Sequence, residues 1–110
     1  MQKCDLLYLN LSFIEQHYSE DISIGDISSF CGLNRSYFSK VFRDTMGESP
    51  QGFLLHYRMA RAAQLLTESR LPISTISAMV SYPNQLHFSR AFKNVYGISP
   101  RDYRAKHLAL

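Results

Sequence analysis

The chain repeats itself. Phe38-Ser39-Lys40-Val41-Phe42-Arg43 returns as Phe88-Ser89-Arg90-Ala91-Phe92-Lys93, an offset of fifty residues, and the match runs on through Gly47/Gly97, Ser49/Ser99, Pro50/Pro100 and Phe53/Tyr103. Upstream, Ile24-Gly25-Asp26-Ile27-Ser28 returns as Ile73-Ser74-Thr75-Ile76-Ser77 at an offset of forty-nine, so the second copy carries one inserted residue near Tyr82 to Asn84. A solenoid needs about three repeats before its stacked faces bury one another. Two copies in 110 residues, the length of one ordinary domain, instead read as two small subdomains. The repeat thus divides residues 1–110 into a first subdomain over 1–49, a connecting segment over 50–69 and a second subdomain over 70–110.

Each copy spells helix, turn, helix and the start of a further helix. Ser23 is placed to cap, Asp26 falls in the opening turn, and Ile24, Ile27 and Phe30 follow at helical spacing until Gly32 offers the left-handed residue that ends a helix. Asn34 is placed to cap the next helix, whose Phe38, Val41, Phe42 and Met46 lie on one side until Gly47 stops it. Ser49-Pro50 and Ser99-Pro100 each put a capping hydroxyl directly before a proline at the first helical position. Ser74 or Thr75 is expected to open the second copy. Residues 5–18, with Leu6, Leu9, Phe13, Ile14 and His17 in amphipathic order, predict a first helix.

Pro50 to Ser69 reads as one long helix, ended by Leu71-Pro72, with Phe53, Tyr57 and Ala60 on one apolar stripe and Leu55, Met59, Ala62 and Leu66 on another. At 1.5 Å per residue its roughly 20 residues span about 30 Å. Such a helix is expected to pack against both subdomains and to set their separation. No stretch alternates with a period of two, so the fold class is all-α: two helix-turn-helix subdomains joined by a long central helix.

The formal net charge of +3 conceals a division. Residues 1–33 carry one lysine against five carboxylates, net −4, whereas residues 34–110 carry eleven Lys/Arg against four carboxylates, net +7. A surface for an anionic partner therefore lies after residue 33, and nucleic acid, acidic protein and lipid headgroups all meet that description. The longest apolar run, Leu6 to Leu9, is four residues, against the ~20 of a membrane-spanning helix. The start also lacks the basic, apolar and small-residue order of a secretory signal. The expectation is a cytoplasmic protein without a membrane partner.

Cys4 and Cys31 are too few for a disulfide framework or, by themselves, a structural zinc site. Cys31, at the repeat position of Val80, reads as a small core residue. His17, His56, His87 and His107 have no cysteine or carboxylate at metal-ligand spacing. No Gly-rich phosphate loop, nucleophile elbow or paired-acid constellation is present. The expectation is a protein that is not an enzyme, with no catalytic residue, metal or cofactor.

A two-turn helix, a short turn centred on Gly32 and a second helix with one basic face form the geometry that enters a DNA major groove. Opposite Phe38 and Phe42 stand Arg35, Ser36, Ser39, Lys40 and Arg43; opposite Phe88 and Phe92 stand Gln85, Leu86, Ser89, Arg90 and Lys93. One such face is commonly no more than solvated helix surface. Two matching faces on a spacer of about 30 Å fit the roughly 34 Å between successive major-groove faces of a duplex. The competing reading is a helical protein-interaction module whose basic faces bind an acidic partner. Arg58, Arg61, Arg101 and Arg104 either neutralise phosphates or pair with Asp44, Glu48, Glu68 and Asp102, and Tyr37 and His87 either reach phosphates or pack.

Arg61-Ala62-Ala63-Gln64-Leu65-Leu66, Ile73-Ser74-Thr75-Ile76-Ser77, Tyr82, Phe88-Ser89-Arg90-Ala91-Phe92-Lys93 and Gly97-Ile98-Ser99-Pro100-Arg101-Asp102-Tyr103-Arg104 follow one another in an order and spacing that resembles the AraC/XylS family of bacterial transcription regulators. The resemblance implies a seven-helix domain with two helix-turn-helix units joined by a long helix, binding double-stranded DNA. It departs from the family at Ser81, where Gly is usual, at Tyr82, where Phe is usual, and at Leu86, where Ser is usual. Carried over, the base-contacting positions are Ser36, Ser39, Lys40, Gln85, Leu86, Ser89 and Arg90, and Arg35, Arg43 and Lys93 become phosphate contacts. Gln pairs bidentately with adenine, Arg or Lys with guanine, and Leu meets only a thymine methyl. The resemblance further implies a monomeric isolated domain, activation through RNA polymerase in the bacterial nucleoid, and, in many members, an N-terminal effector and dimerisation domain outside a chain of this length.

Overall fold

The computed structural model describes residues 3–108, with side chains from Tyr8 to Leu108. Those residues form seven helices and no strand: α1 Lys3–His17, α2 Ile24–Phe30, α3 Arg35–Met46, α4 Pro50–Glu68, α5 Ile73–Met79, α6 Gln85–Tyr96 and α7 Pro100–His107. They group into two units, Met1–Leu55 and His56–Leu110, and α4 runs continuously from the first into the second.

In the first unit α1, α2 and α3 pack on one another. Their spacing brings Ile14, Ile24, Ile27, Phe38 and Phe42 together with Cys31 and Leu54, all buried. Burial removes apolar area from water at about 25 cal/mol per Å², and the two phenylalanines are the largest of these side chains. Phe42 meets Phe38 at 5.8 Å and Phe53 edge-on at 5.6 Å between ring centres. The second unit repeats the plan with Met59, Ala62, Ala63 and Leu66 of α4, Ile76, Val80, Phe88 and Phe92 buried. There Phe92 stacks on Tyr96 at 4.7 Å and meets Tyr103 edge-on at 5.3 Å. Burial pushes the Cys31 thiol up from its ordinary range, as it does Tyr96, whose neighbour Tyr103 adds to the effect.

Helix starts follow the cap residues. Ser23 accepts from the Asp26 amide while the Asp26 carboxylate accepts from the Ser23 amide, a complete capping box. Ser49 and Ser99 accept from the Gly52 and Asp102 amides ahead of their prolines. The second copy departs at α5. Neither Ser74 nor Thr75 opens that helix; both lie inside it, and Pro72, at the repeat position of Ser23, is an N-cap residue with no side-chain hydrogen bond. A proline offers no side-chain acceptor, so the amides of the first α5 turn have no such partner.

The stripes of α4 are also shifted from expectation. Leu54 rather than Leu55 is buried, Ala63 joins Met59, Ala62 and Leu66 in the core, and Ala60 is exposed. A period of 3.6 does not discriminate between neighbouring small or aliphatic residues at the edge of a stripe.

Candidate nucleic-acid interface

Each unit holds one helix-turn-helix, and the turn decides how its second helix is presented. In the first, the amides of Cys31, Gly32 and Leu33 donate to the carbonyls of Ile27, Ser29 and Ser28 at 3.1, 3.0 and 2.9 Å, and Gly32 takes φ +73°. In the second, the amides of Val80, Ser81 and Tyr82 donate to Ile76, Ala78 and Ser77 at 3.2, 3.1 and 2.9 Å, and Ser81 takes φ +67°. The same left-handed turn is thus built without glycine. The Ser77 hydroxyl donates to the Tyr82 carbonyl across it, whereas its counterpart Ser28 turns back to the Gly25 carbonyl at 3.0 Å. Pro83 is the inserted residue, and the Tyr82 ring lies 6.1 Å from that of Phe88.

Both second helices then start on an asparagine cap: Asn34 accepts from the Tyr37 amide at 2.8 Å and Asn84 from the His87 amide at 3.1 Å. Both end on a left-handed glycine, Gly47 and Gly97. Phe38 and Phe42 anchor α3, and Phe88 and Phe92 anchor α6, each of them essentially fully buried. A helix held by two phenylalanines four residues apart turns the opposite side to solvent.

On α3, Arg35, Ser36, Lys40 and Arg43 are exposed and Ser39 is half-buried at the edge of that side. On α6, Gln85, Leu86, Arg90 and Lys93 are exposed and Ser89 is half-buried. Tyr37 and His87 are exposed too, which removes the packed alternative for both. Asp44 and Asn94 stand exposed at equivalent positions, so α3 carries one carboxylate that α6 lacks. Spacing alone reveals these two residues, each four beyond Lys40 or Arg90.

The arginines outside these helices divide. Arg104 pairs with none of the carboxylates: it donates from Nε to the Leu66 carbonyl at 3.1 Å and from a terminal nitrogen to the Ser69 carbonyl at 3.4 Å, tying α7 to the end of α4. Arg61 donates to the Gln64 side chain on α4, and Arg101 is exposed. Two outward basic faces, each rigidly backed and capped at its N-terminus, are chemically suited to phosphate oxygens and base edges. Among the described residues no helix is long and apolar enough to cross a membrane.

Comparison with known proteins gives the same architecture. The family described as "Helix-turn-helix domain" matches residues 27–106. The lactose operon transcription activator of Staphylococcus xylosus is 35% identical over 94 residues, covering 86% of this chain and 34% of that protein. The C-terminal domain of AraT, a response regulator from Geobacillus stearothermophilus, superposes with a TM-score of 0.91 at 31% identity, covering 96% of this chain and 88% of that one. A transcriptional regulator from Chromobacterium violaceum, described among AraC-type DNA-binding domain-containing proteins, gives a TM-score of 0.89 at 28% identity, covering 96% and 95%. The chain spans about a third of the length of the curated relatives it matches. With about three-quarters of its helical residues inside the matched range, the chain belongs to the AraC/XylS family of helix-turn-helix domains.

Proposed function

We propose that this chain binds double-stranded DNA sequence-specifically, as the DNA-binding domain of a bacterial transcription activator. The observation that carries the reading is the pair of matched second helices, α3 and α6, each anchored by two phenylalanines and each exposing a cationic face. Similarity to a protein named as a lactose operon transcription activator supports both the DNA partner and the direction of regulation.

In this reading residues 1–49 and 70–110 are two helix-turn-helix subdomains of one domain, linked through 50–69. Ser36, Ser39 and Lys40 of α3, and Gln85, Leu86, Ser89 and Arg90 of α6, meet base edges. Arg35, Arg43 and Lys93 clamp phosphates, which fixes register without reading sequence. The domain acts as a monomer in the cytoplasm, with RNA polymerase as the protein partner and no catalytic chemistry of its own.

Hydroxyl-radical footprinting on a duplex selected from a randomised pool tests the two-helix engagement. Two protected segments on one side of the duplex, about one helical turn apart, are expected. Protection of a single segment at saturating protein contradicts it.

A further inference from the structure

We propose that Leu86 reads the C5-methyl group of a pyrimidine in the major groove, and that this makes the half-site of the second unit sensitive to a single methyl. The inference rests on the DNA-binding reading above and adds to it the chemical group recognised.

Three observations converge on Leu86. It lies in the first turn of α6, and the first turn of a recognition helix is the part that reaches base edges. The residue is 59% exposed although its side chain is apolar. It precedes Arg90 by four residues, so the two stand one above the other on the outward side of the helix. An inward leucine at this place would fill space around the unusual Ser81 turn. That space is taken by Tyr82, whose ring packs toward Phe88, and the core side of α6 is already occupied by Phe88 and Phe92.

Single exposed leucines are ordinary on protein surfaces. This one replaces a hydroxyl: its repeat counterpart on α3 is Ser36, also exposed. Where Ser36 donates to or accepts from any base, Leu86 offers neither a donor nor an acceptor. The one apolar group that a base pair presents in the major groove is a C5-methyl. Thymine carries it always, and cytosine carries it when methylated. The two helices therefore read by different chemistry, α3 through hydroxyls and a lysine, α6 through Gln85, a methyl contact at Leu86 and Arg90.

The test uses the whole chain and a duplex recovered from a randomised pool by selection. Each thymidine of that duplex is replaced in turn by deoxyuridine, which removes the methyl and keeps the hydrogen-bonding edge. The wild-type chain is expected to lose about fourfold in affinity at one position, the worth of one buried methylene, and Leu86→Ala and Leu86→Ser to be indifferent to that replacement. At the same position deoxycytidine and 5-methyldeoxycytidine are then compared. A gain on methylation assigns any C5-methyl pyrimidine to Leu86, and a response in the uridine arm alone assigns thymine. A uridine scan that is flat for the wild-type chain, or that Leu86→Ala reproduces unchanged, overturns the proposal while leaving DNA binding intact. Failure of the selection to enrich any duplex overturns the underlying reading instead. Thermal melting of both variants within a degree or so of wild type confirms that the comparison concerns recognition and not folding.

Discussion

Ser81 holds at φ +67° a turn that Gly32 makes at +73° without a side chain. An L-residue in the left-handed region costs about 1 kcal/mol or somewhat more. Ser81→Gly is accordingly expected to raise stability by about 1 kcal/mol in denaturant titrations with the slope unchanged. Asn10 is a second residue at odds with its surroundings: it is fully buried in α1, and among the described residues neither its amide nitrogen nor its oxygen has a hydrogen-bond partner. An orphaned buried polar group costs about 1–3 kcal/mol. Asn10→Leu, which keeps the number and branching of the side-chain heavy atoms, is expected to stabilise the chain by about 1–2 kcal/mol, and unchanged or lowered thermal stability contradicts this. The two residues differ in how visible they were. The left-handed position of Ser81 is readable from the repeat, which aligns it with Gly32. The isolation of Asn10 is not, because spacing tells which way a side chain points and not whether its polar atoms find partners.

At the scale of the element, the two copies differ most where their first helices begin. Ser23 closes a full capping box on α2, and Pro72 opens α5 with no side-chain bond. Ser23→Ala should therefore cost about 1 kcal/mol. Thr75→Ala, removing a hydroxyl that the sequence suggested as a cap, should stay within about 0.5 kcal/mol of wild type. Arg104 shows a cation held by backbone carbonyls rather than by a carboxylate among the described residues. Its guanidinium serves the carbonyls of Leu66 and Ser69, groups that the end of α4 otherwise leaves unsatisfied. Arg104→Ala is expected to lower stability by about 1–3 kcal/mol and to leave the salt dependence of DNA binding unchanged. A shallower salt dependence would return Arg104 to the phosphate contacts. Charge alone gave no means of separating Arg104 from Arg101, since the carbonyls it serves lie more than thirty residues away.

For the molecule as a whole, the repeat made the seven-helix plan legible: caps, stops and the phenylalanine pairs recur in both copies, and local rules place them. The faces of α3 and α6 were legible for the same reason, because Phe38/Phe42 and Phe88/Phe92 leave one outward side each. What the spacing did not reveal is the start of α5 and the burial of Leu54 and Ala63, which depend on packing across distant parts of the chain. The cationic excess lies after residue 33, and three of those cations, Arg35, Arg43 and Lys93, are assigned to phosphates. Counterion release then gives a slope of log K against log salt of about −0.9 for each phosphate neutralised. The most direct measurement is an equilibrium titration of the wild-type chain with a selected duplex and with its scrambled sequence, across a series of salt concentrations. A slope of about −3 or steeper is expected, with a marked preference for the selected duplex at every salt concentration. A slope near zero, or equal affinity for the two duplexes, contradicts this.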